Sequence, residues 1–410
     1  MLFQQETAET ALLDREGLDA LYFLLKGELR DYPIFFVKYL RDQRFIVPGP
    51  PDGAVEMVAR VRDEALLTTA PPRSLAAPET LHLSLTGACD QACQGCFYSA
   101  RPGSEVTADL MDWSLFERVI TAAGEARVFQ IALGGGEPLL HPRLVDMARL
   151  ARRHGIVPNL TTNGNRLDVE LAAALKEAGL GQAQISLNGA TPEVNGRTRP
   201  NFAAAMRAIE ACRQVGLRWG INFLLTRGNA HELAEVVALG RRLGAASVNI
   251  LRPKPPTTED DWLERESLTA ADYRTVQTVL REINRQPHPA TRLTLDASLT
   301  FLLTDRSPAQ LYRQGVWGCS AARRFCTVIQ DGRVLPCSHV RWSDVDGGDF
   351  MRAWWKSQVF ARFRAQEEII GGWCARCAYL ELCKGCRAVV MAFEEDFAAS
   401  DPHCPRRGRR

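Results

Sequence analysis

Three cysteines stand close together after a short apolar segment, and their spacing suits metal chemistry. Cys89, Cys93 and Cys96 follow the spacing Cys-x3-Cys-x2-Cys, directly after the alternating run 81–85. A cubane iron–sulfur cluster normally takes four cysteine thiolates. Three thiolates leave one iron without a protein ligand, and catalytic metal sites keep such a position open for a substrate. The triad therefore predicts a cluster with one coordination position available to a small molecule.

The C-terminal part of the chain holds most of the remaining cysteines. The chain has 12 cysteines. Cys212 lies on the apolar face of a predicted helix and is interpreted as a small buried side chain. Cytoplasmic thiols stay reduced, so the others are expected to bind metal clusters rather than form disulfides. These eight are Cys319, Cys326, Cys337, Cys374, Cys377, Cys383, Cys386 and Cys404.

Composition limits the possible partners. The 410 residues predict two or three domains, and the 46% hydrophobic content supports a packed core. The formal net charge of +2 argues against a nucleic-acid partner. No run approaches the roughly 20 apolar residues of a membrane helix, and the N-terminus lacks a signal-peptide pattern. We expect a cytoplasmic protein with no membrane partner.

Short β-rich runs alternate with helical segments between residues 80 and 258. The expected strands are 81–86, 129–133, 157–161, 183–187, 220–225 and 247–251. The expected helices are 113–124, 144–154, 169–178, 203–215 and 231–243. Six βα units predict a parallel sheet with its helices outside, in the α/β class, as a partial (β/α)6 TIM-type barrel. Sites in such barrels form at the carboxyl ends of the strands, where the triad lies.

Two smaller regions flank the predicted barrel. Residues 1–67 form an N-terminal domain with helices expected at 12–29, 34–45 and 54–67, and with no clear strand apart from 45–47. A proline-rich linker, 68–78, leads to the barrel at 80–290. A helix at 270–284 and a strand at 292–296 are expected around the start of the cysteine-rich domain, 291–410.

Three further motifs follow the triad, each after a predicted strand. They are Gly-Gly-Gly-Glu-Pro at 134–138, Thr-Thr-Asn-Gly at 161–164 and Ser-Leu-Asn-Gly at 186–189. With the triad, and in this order, they resemble the radical S-adenosylmethionine (SAM) family. In that family the open iron binds the amino and carboxylate groups of SAM. One electron then splits SAM into methionine and a 5′-deoxyadenosyl radical.

The resemblance implies which residues bind SAM. Arg199 would pair with the SAM carboxylate, although Arg197 is an alternative because the alignment needs one inserted residue. Asn188 replaces the usual aspartate of relatives. Gly95 stands where relatives often carry an aromatic residue, so Phe97 or Tyr98 is expected to cover the adenine. The remaining expected SAM contacts are Gly135, Gly136, Glu137, Pro138, Asn163 and Ser186.

The C-terminal cysteines resemble the SPASM extension of radical SAM enzymes. By that resemblance Cys319, Cys326, Cys337 and Cys386 hold auxiliary cluster I. Cys374, Cys377, Cys383 and Cys404 hold auxiliary cluster II, so three [4Fe-4S] clusters are expected in total. The alternative is a zinc site formed by residues 374, 377, 383 and 386. Paired Cys-x2-Cys zinc motifs are usually about 12–20 residues apart rather than five, and this site would leave four cysteines unused.

SPASM relatives mostly modify ribosomally made peptides. The resemblance implies a radical SAM oxidoreductase that abstracts a side-chain hydrogen and installs a crosslink or an oxidative change. Its expected partners are a precursor peptide and a reductant such as flavodoxin or ferredoxin. The alternatives are the same chemistry on a small molecule, such as a tetrapyrrole side chain, sulfatase-type protein maturation, or a zinc-stabilised binding protein.

Two features bear on the substrate. Sulfatase maturases carry an aspartate after the cluster I cysteine, but here Ser338 and His339 follow Cys337. His339 is a candidate catalytic base because its ordinary pKa is near neutrality, or it donates a hydrogen bond to a cluster sulfur.

Residues 1–67 loosely resemble winged-helix leader-binding domains, which add a peptide strand to a sheet edge. A helical cap is the alternative.

Overall fold

The structure is a computed structural model. It describes residues 2–4, 9–11, 15–26, 40, 53–65, 70–98, 109–255, 261–286, 288 and 290–407. The chain divides into two compact units, Met1–Pro71 and Pro72–Arg410. Within the described ranges, no helix combines the length and apolar character needed to cross a membrane.

The N-terminal unit combines a hairpin with helices. Strands β1 (Leu2–Gln4) and β2 (Glu9–Ala11) pair antiparallel, and helices α1 (Arg15–Leu25) and α2 (Ala54–Ala65) follow. A small apolar core joins Leu21, Leu40 and Val58. The expectation of no clear strand before residue 45 was wrong, because three-residue strands are too short to show a period-two pattern. The strand expected at 45–47 lies outside the described residues, as does most of the helix expected at 34–45.

The second unit is built on one mostly parallel sheet. Its strand order is β11-β10-β3-β4-β5-β6-β7-β8-β9, and only the β10–β11 pair is antiparallel. The six expected parallel strands are confirmed, and β9 and β10 add one parallel strand at each side. The strands are β3 (Thr80–Ser84), β4 (Gln130–Gly134), β5 (Val157–Thr162), β6 (Gln182–Ser186), β7 (Trp219–Leu224), β8 (Ser247–Leu251), β9 (Arg292–Leu295), β10 (Phe325–Val328) and β11 (Val334–Leu335).

Helices connect these strands and cover the sheet. The five helices expected between the barrel strands are confirmed to within two residues at each end. The helices up to β9 are α3 (Trp113–Glu125), α4 (Leu144–Arg153), α5 (Val169–Glu177), α6 (Pro192–Gly196), α7 (Phe202–Val215), α8 (Leu233–Leu243), α9 (Trp262–Glu266) and α10 (Ala270–Arg285). Those after β9 are α11 (Pro308–Arg313), α12 (Phe350–Lys356), α13 (Gln358–Arg364), α14 (Gln366–Ile369), α15 (Leu380–Cys383) and α16 (Arg387–Glu394).

Helix α3 shows how the sequence places a helix on the sheet. The Asp112 side chain accepts a hydrogen bond from the backbone N–H of Ser114 at 2.8 Å, which caps the first turn. Phe116, Ile120 and Ala123 recur at helical spacing and are fully buried. The helix therefore begins at a polar cap and packs its apolar face into the core.

Side-chain alternation along β3 separates the core from the site. Leu81 and Leu83 are buried in the main hydrophobic core. His82 and Ser84 point to the opposite face, because successive side chains of a strand alternate, and both line a cavity. The parallel strands therefore carry apolar residues toward the helices and polar residues toward the site.

Candidate active site

One cavity of about 360 Å³ contains the triad and the ends of the strands. Most of the expected SAM contacts line this cavity, together with polar residues from β3, β8, β9 and β10. The residues that line it include His82, Ser84, Cys89, Cys93, Cys96, Phe97, Tyr98, Gly135, Gly136, Glu137, Asn163, Ser186, Arg199, Arg252, Lys254, Asp296, Thr327, Ser338 and His339.

The loop after β4 is fastened to the loop that carries the triad. The backbone N–H of Gly136 donates to the carbonyl of Thr86 at 2.6 Å, and that of Glu137 donates to the carbonyl of Ala88 at 2.8 Å. A side chain at Gly136 would overlap the Ala88 carbonyl, and Gly135 has a φ of +124°. Glycine is needed at both positions because only it tolerates this backbone and this approach.

Glu137 is a buried carboxyl group at the centre of the site. It accepts hydrogen bonds from the Thr162 hydroxyl (2.7 Å) and from the backbone N–H groups of Asn163 (2.8 Å) and Leu139 (3.0 Å). Burial raises its pKa to about 7, although these hydrogen bonds oppose the shift. Pro138 begins a single 3-10 turn directly after it, which fixes the backbone beside the carboxyl group.

Asn163 links the end of β5 to the triad loop. Its Nδ2 donates to Asp90 Oδ1 at 2.7 Å and lies 3.8 Å from Cys89 Sγ. Asp90 also pairs with Arg166 at 3.3 Å. The Thr-Asn-Gly motif therefore orders the first cysteine of the triad.

The structure distinguishes Arg199 from Arg197. Arg199 lines the cavity, and its Nε is buried without a hydrogen-bond partner in the described part of the chain. Arg197 instead donates to the Gly228 carbonyl at 2.6 Å on an exposed surface. A buried guanidinium nitrogen with an unmet donor suits an anionic ligand such as a carboxylate. Ser186, at the end of β6, lines the same cavity.

Asn188 has a structural role in this loop. Its Nδ2 donates to the Thr198 hydroxyl at 2.9 Å, and its Oδ1 accepts from the Leu224 backbone at 3.2 Å. Asn195 Nδ2 donates to the Arg199 carbonyl at 2.7 Å. This network positions the segment that carries Arg199, so asparagine serves where relatives have aspartate.

Aromatic residues surround the last cysteine of the triad. A side chain at Gly95 would overlap the indole ring of Trp262, so Trp262 fills the space where relatives carry an aromatic side chain at that position. Phe97 packs between Tyr98 and His339, with ring centroids 4.5 Å and 4.4 Å away. Phe97 and Tyr98 both line the cavity, which keeps both as candidates to cover the adenine.

His339 lies between the cavity and the C-terminal cysteines. Its Nδ1 is 3.5 Å from Cys337 Sγ. Burial and the nearby Lys254 ammonium hold the pKa of His339 well below its ordinary value. His339 is therefore neutral at physiological pH. It can donate a hydrogen bond to a sulfur, and the lowered pKa makes it only a weak proton acceptor.

Four C-terminal cysteines share one pocket. The Cys383 thiol has a pKa raised to about 12, first by burial and then by Cys404, Asp401 and Cys374. The enclosed space measures about 30 Å³. The cysteines that line it are Cys374, Cys377, Cys383 and Cys404. This is the set assigned from the sequence to auxiliary cluster II.

Three more cysteines form a second group. The pKa of the Cys337 thiol is raised to about 12, first by burial and then by the neighbouring Cys319 and Cys386 thiols. The Cys319 sulfur also accepts a hydrogen bond from Gln366 Nε2 at 3.7 Å. Cys319, Cys337 and Cys386 therefore lie together, as assigned to auxiliary cluster I.

The structure does not bring Cys326 to that group. On β10 it is in register with Leu81 of β3, so both side chains point into the core, where Cys326 is fully buried. The charged group that acts on its thiol is the Arg364 guanidinium. Thr327, the next residue, points to the other face and hydrogen-bonds Ser338 at 3.0 Å.

The donor sets suit clusters rather than single ions. No three His, Cys, Asp or Glu side chains among the described residues converge closely enough to hold one metal ion. A cubane takes one thiolate on each iron, so its ligands are farther apart than those of a single ion. The site therefore fits an iron–sulfur cluster that binds the amino and carboxylate groups of a ligand. The features that fit are the triad, the loop of Gly135 and Gly136, and the Arg199 nitrogen without a hydrogen-bond partner in the described part of the chain.

Comparisons with known proteins agree with this geometry. Residues 83–240 match the radical SAM superfamily. The chain is 30% identical over 358 residues to mycofactocin maturase MftC of Mycobacterium ulcerans, a match that covers 82% of this chain and 92% of that protein. The chain belongs to the radical SAM superfamily. This radical SAM enzyme is also 26% identical over 345 residues to an AdoMet-dependent heme synthase of Methanosarcina barkeri, covering 80% of this chain and 96% of that one.

A solved structure shares the fold of this radical SAM enzyme over nearly its whole length. SuiB of Streptococcus suis, bound to SAM, superimposes with a TM-score of 0.69 at 17% identity, covering 98% of this chain and 95% of that one. SuiB bound to its precursor peptide SuiA gives a TM-score of 0.68 at 16% identity, with the same coverage. At this identity the likeness shows the fold.

Membership of the radical SAM superfamily identifies two cofactors. The radical SAM enzyme binds SAM and a [4Fe-4S] cluster. When bound, the cluster supplies the electron that splits SAM into methionine and a 5′-deoxyadenosyl radical. The residues that line the cavity would hold the two groups next to the space open to a substrate.

Sequence reasoning missed several residues of the radical SAM enzyme's cavity. Lys254 lies three residues after the end of β8, and Asp296 lies one residue after the end of β9. Their side chains form a buried ion pair. Burial opposes charge on Lys254, but the Asp296 carboxylate raises its pKa. Arg252, also missed, follows β8 directly. The rule that barrel sites form at the carboxyl ends of strands would have pointed to all three.

Proposed function

We propose that this radical SAM enzyme generates a 5′-deoxyadenosyl radical to abstract a side-chain hydrogen from a ribosomally made peptide, and installs a crosslink or oxidative change there. The observation that supports this function is the combination of 30% identity to a maturase with a fold that matches SuiB over 98% of this chain. SuiB has been solved with a precursor peptide. A sulfatase role is disfavoured because Ser338 and His339 follow Cys337.

The proposal assigns the site residues. Cys89, Cys93 and Cys96 hold the SAM-binding cluster. Glu137 accepts a hydrogen bond from the SAM amino group, and Ser186 and Arg199 bind its carboxylate. The loops of Gly135–Gly136 and Asn163 shape the cradle, and Phe97 packs beside the adenine. His339 is kept as the candidate base.

Two auxiliary clusters complete the proposal. Cys374, Cys377, Cys383 and Cys404 hold cluster II. For cluster I we propose Cys319, Cys337 and Cys386 and revise the sequence-based assignment by leaving out Cys326, since it points into the core on the other face of β10. A flavodoxin or ferredoxin is the proposed source of electrons. The domains are proposed as residues 1–67, 80–290 and 291–410, with the first binding a leader segment.

The test uses the reconstituted full-length enzyme with SAM, reductant and the short peptide encoded beside its gene. We expect 5′-deoxyadenosine together with a peptide that has lost a pair of hydrogens, located by tandem mass spectrometry. A propionate-bearing tetrapyrrole serves as the comparison substrate. Modification of the tetrapyrrole, with the peptide left unchanged, would reject the peptide role and favour the heme-synthase type of chemistry.

SAM binding should depend on pH through Glu137. Its pKa of about 7 means that the carboxyl is protonated below this pH and ionised above it, and only the ionised form accepts fully from the SAM amino group. SAM affinity should therefore rise by up to about tenfold from pH 6 to pH 8, because one pKa unit corresponds to a factor of ten. Isothermal titration calorimetry on the anaerobic enzyme measures this.

Glu137→Gln provides the control for that prediction. The variant should bind SAM about tenfold or more weakly at pH 8, since it loses a hydrogen bond to a charged group. The ratio of wild-type to variant affinity removes the titration of SAM itself. A ratio that stays constant from pH 6 to pH 8 would show that Glu137 does not titrate in the site.

Arg199 and Arg197 should differ sharply in their effect on SAM binding. Arg199→Gln should weaken binding by about tenfold or more, because it removes a charge-assisted contact to the SAM carboxylate. Arg197→Gln removes the same charge two residues away, where the side chain contacts Gly228, and should leave affinity within twofold (about 0.4 kcal/mol). Equilibrium dialysis with labelled SAM measures both, and equal effects would contradict the assignment.

A further inference from the structure

Arg252 and Asp401 form an ion pair between the reaction cavity and the pocket of four cysteines. Arg252 lines the cavity, and Asp401 lines the pocket that contains Cys374 and Cys383. Two parallel hydrogen bonds of 2.7 Å and 2.8 Å join the guanidinium to the carboxylate. Both side chains are at most 2% exposed. The pair is therefore shielded from water and lies against both sites.

Asp401 also contacts the segments that carry cysteines of both groups. Its Oδ2 accepts from the backbone N–H of Cys386 at 3.0 Å. Its Oδ1 accepts from the backbone N–H of His403 at 3.2 Å, immediately before Cys404. One carboxylate thus orients a cysteine of the three-cysteine group and a cysteine of the four-cysteine pocket.

The other contacts of the pair are mostly neutral. Arg252 also donates to the Ser298 carbonyl at 3.3 Å, and its Nη2 lies 3.3 Å from His403 Nδ1. The Lys254–Asp296 pair, which also carries no net charge, packs on the same side of Cys386.

A buried charge without a counterion acts strongly on a nearby redox centre. Two opposite charges held together cancel at a distance, whereas removal of one leaves the other uncompensated in a low-dielectric interior. The reduction potential of an iron–sulfur cluster depends on nearby charge and on hydrogen bonds around its sulfurs. A lone cation favours the reduced, more negative cluster, and a lone anion favours the oxidised one.

We propose that Arg252 and Asp401 act as a positioning pair that sets the reduction potential of the auxiliary cluster held by the four-cysteine pocket. The inference rests on the auxiliary clusters of the proposed function. It assigns to the pair a role beyond folding: the Asp401 carboxylate lines the pocket, and the Arg252 guanidinium balances its charge, so that the pair fixes the potential of the cluster held there.

The test is a redox titration of the reconstituted holoenzyme followed by electron paramagnetic resonance. Asp401→Asn leaves the Arg252 charge uncompensated and should shift the midpoint potential of this cluster upward. Arg252→Gln leaves the Asp401 carboxylate without its counterion and should shift the midpoint potential downward. Arg252→Lys keeps the charge and should stay close to the wild type.

Two further variants keep the test decisive. The double variant Arg252→Gln/Asp401→Asn restores neutrality and should return toward the wild-type potential, even if a single variant binds little iron. Asp146→Asn breaks an exposed pair with Arg149 and should cause no shift. Shifts of the same sign in both single variants, or unchanged potentials, would overturn the inference alone. Absence of auxiliary signals in the wild-type enzyme would overturn the proposed clusters and the inference with them.

Discussion

Cys93→Ala should reduce 5′-deoxyadenosine formation to the level of a reaction without enzyme. Cys93 is one of three thiolates in the loop after β3 that line the SAM cavity, and Arg199 acts electrostatically on its thiol. Loss of one of three ligands leaves a cluster with too few protein contacts to persist. Total iron should fall from about twelve to about eight per chain, because the two proposed auxiliary clusters would be held by other cysteines. Iron analysis and quantification of 5′-deoxyadenosine measure the two effects.

Cys212→Ala is the matched control. Cys212 is fully buried on α7 in the apolar core, and burial raises the pKa of its thiol to about 12. The substitution should leave iron content and SAM cleavage unchanged while lowering the free energy of unfolding by about 1 kcal/mol. Retained cleavage in Cys93→Ala, or loss of a cluster in Cys212→Ala, would show that the cysteines are wrongly partitioned.

Cys337→Ala and Cys326→Ala should separate a cluster ligand from a core residue. Cys337 lies with Cys319 and Cys386, so its loss should remove one auxiliary cluster, with iron falling from about twelve to about eight per chain. Cys326 points away from that group, on the core face of β10, so Cys326→Ala should keep all its iron. Mössbauer spectra of enzyme reconstituted with 57Fe measure both.

The free energy of unfolding of Cys326→Ala gives the control for this pair of variants. Cys326→Ala removes a fully buried side chain and should lower the free energy of unfolding by about 1 kcal/mol with the cluster spectra intact. If Cys326→Ala instead loses as much iron as Cys337→Ala, the thiol reaches the cluster and auxiliary cluster I has four protein ligands. The orientation of β10 described above would then not hold in the loaded enzyme.

Local patterns in the sequence were sufficient to predict the parallel sheet and to identify the triad and the motifs that line one cavity. The six strands were recognisable because apolar runs alternate with amphipathic helices, and each motif stands at the carboxyl end of a strand. The family membership follows from the triad at 89–96 and the Gly-Gly-Glu-Pro motif, which are short and local. The cavity that joins Cys89, Glu137, Ser186 and Arg199 then follows from the geometry of parallel strands.

Long-range pairings could not be predicted in the same way. Strand β10 inserts beside β3 although Cys326 and Leu81 are 245 residues apart, and no local period indicates that register. The face to which Cys326 points depends on this pairing, and the resemblance that assigned Cys326 to a cluster carries no information on that face. Trp262 against Gly95 and Asp401 against Arg252 are likewise contacts between distant segments.

The central claim is that the cluster held by Cys89, Cys93 and Cys96 keeps one iron open for SAM. Electron–nuclear double resonance of the reduced enzyme, loaded with SAM that carries 15N in its amino group, tests this claim most directly. We expect a hyperfine coupling from that nitrogen, present in the wild type and absent in Cys93→Ala. SAM bound to the reduced wild-type enzyme without any such coupling would contradict the claim.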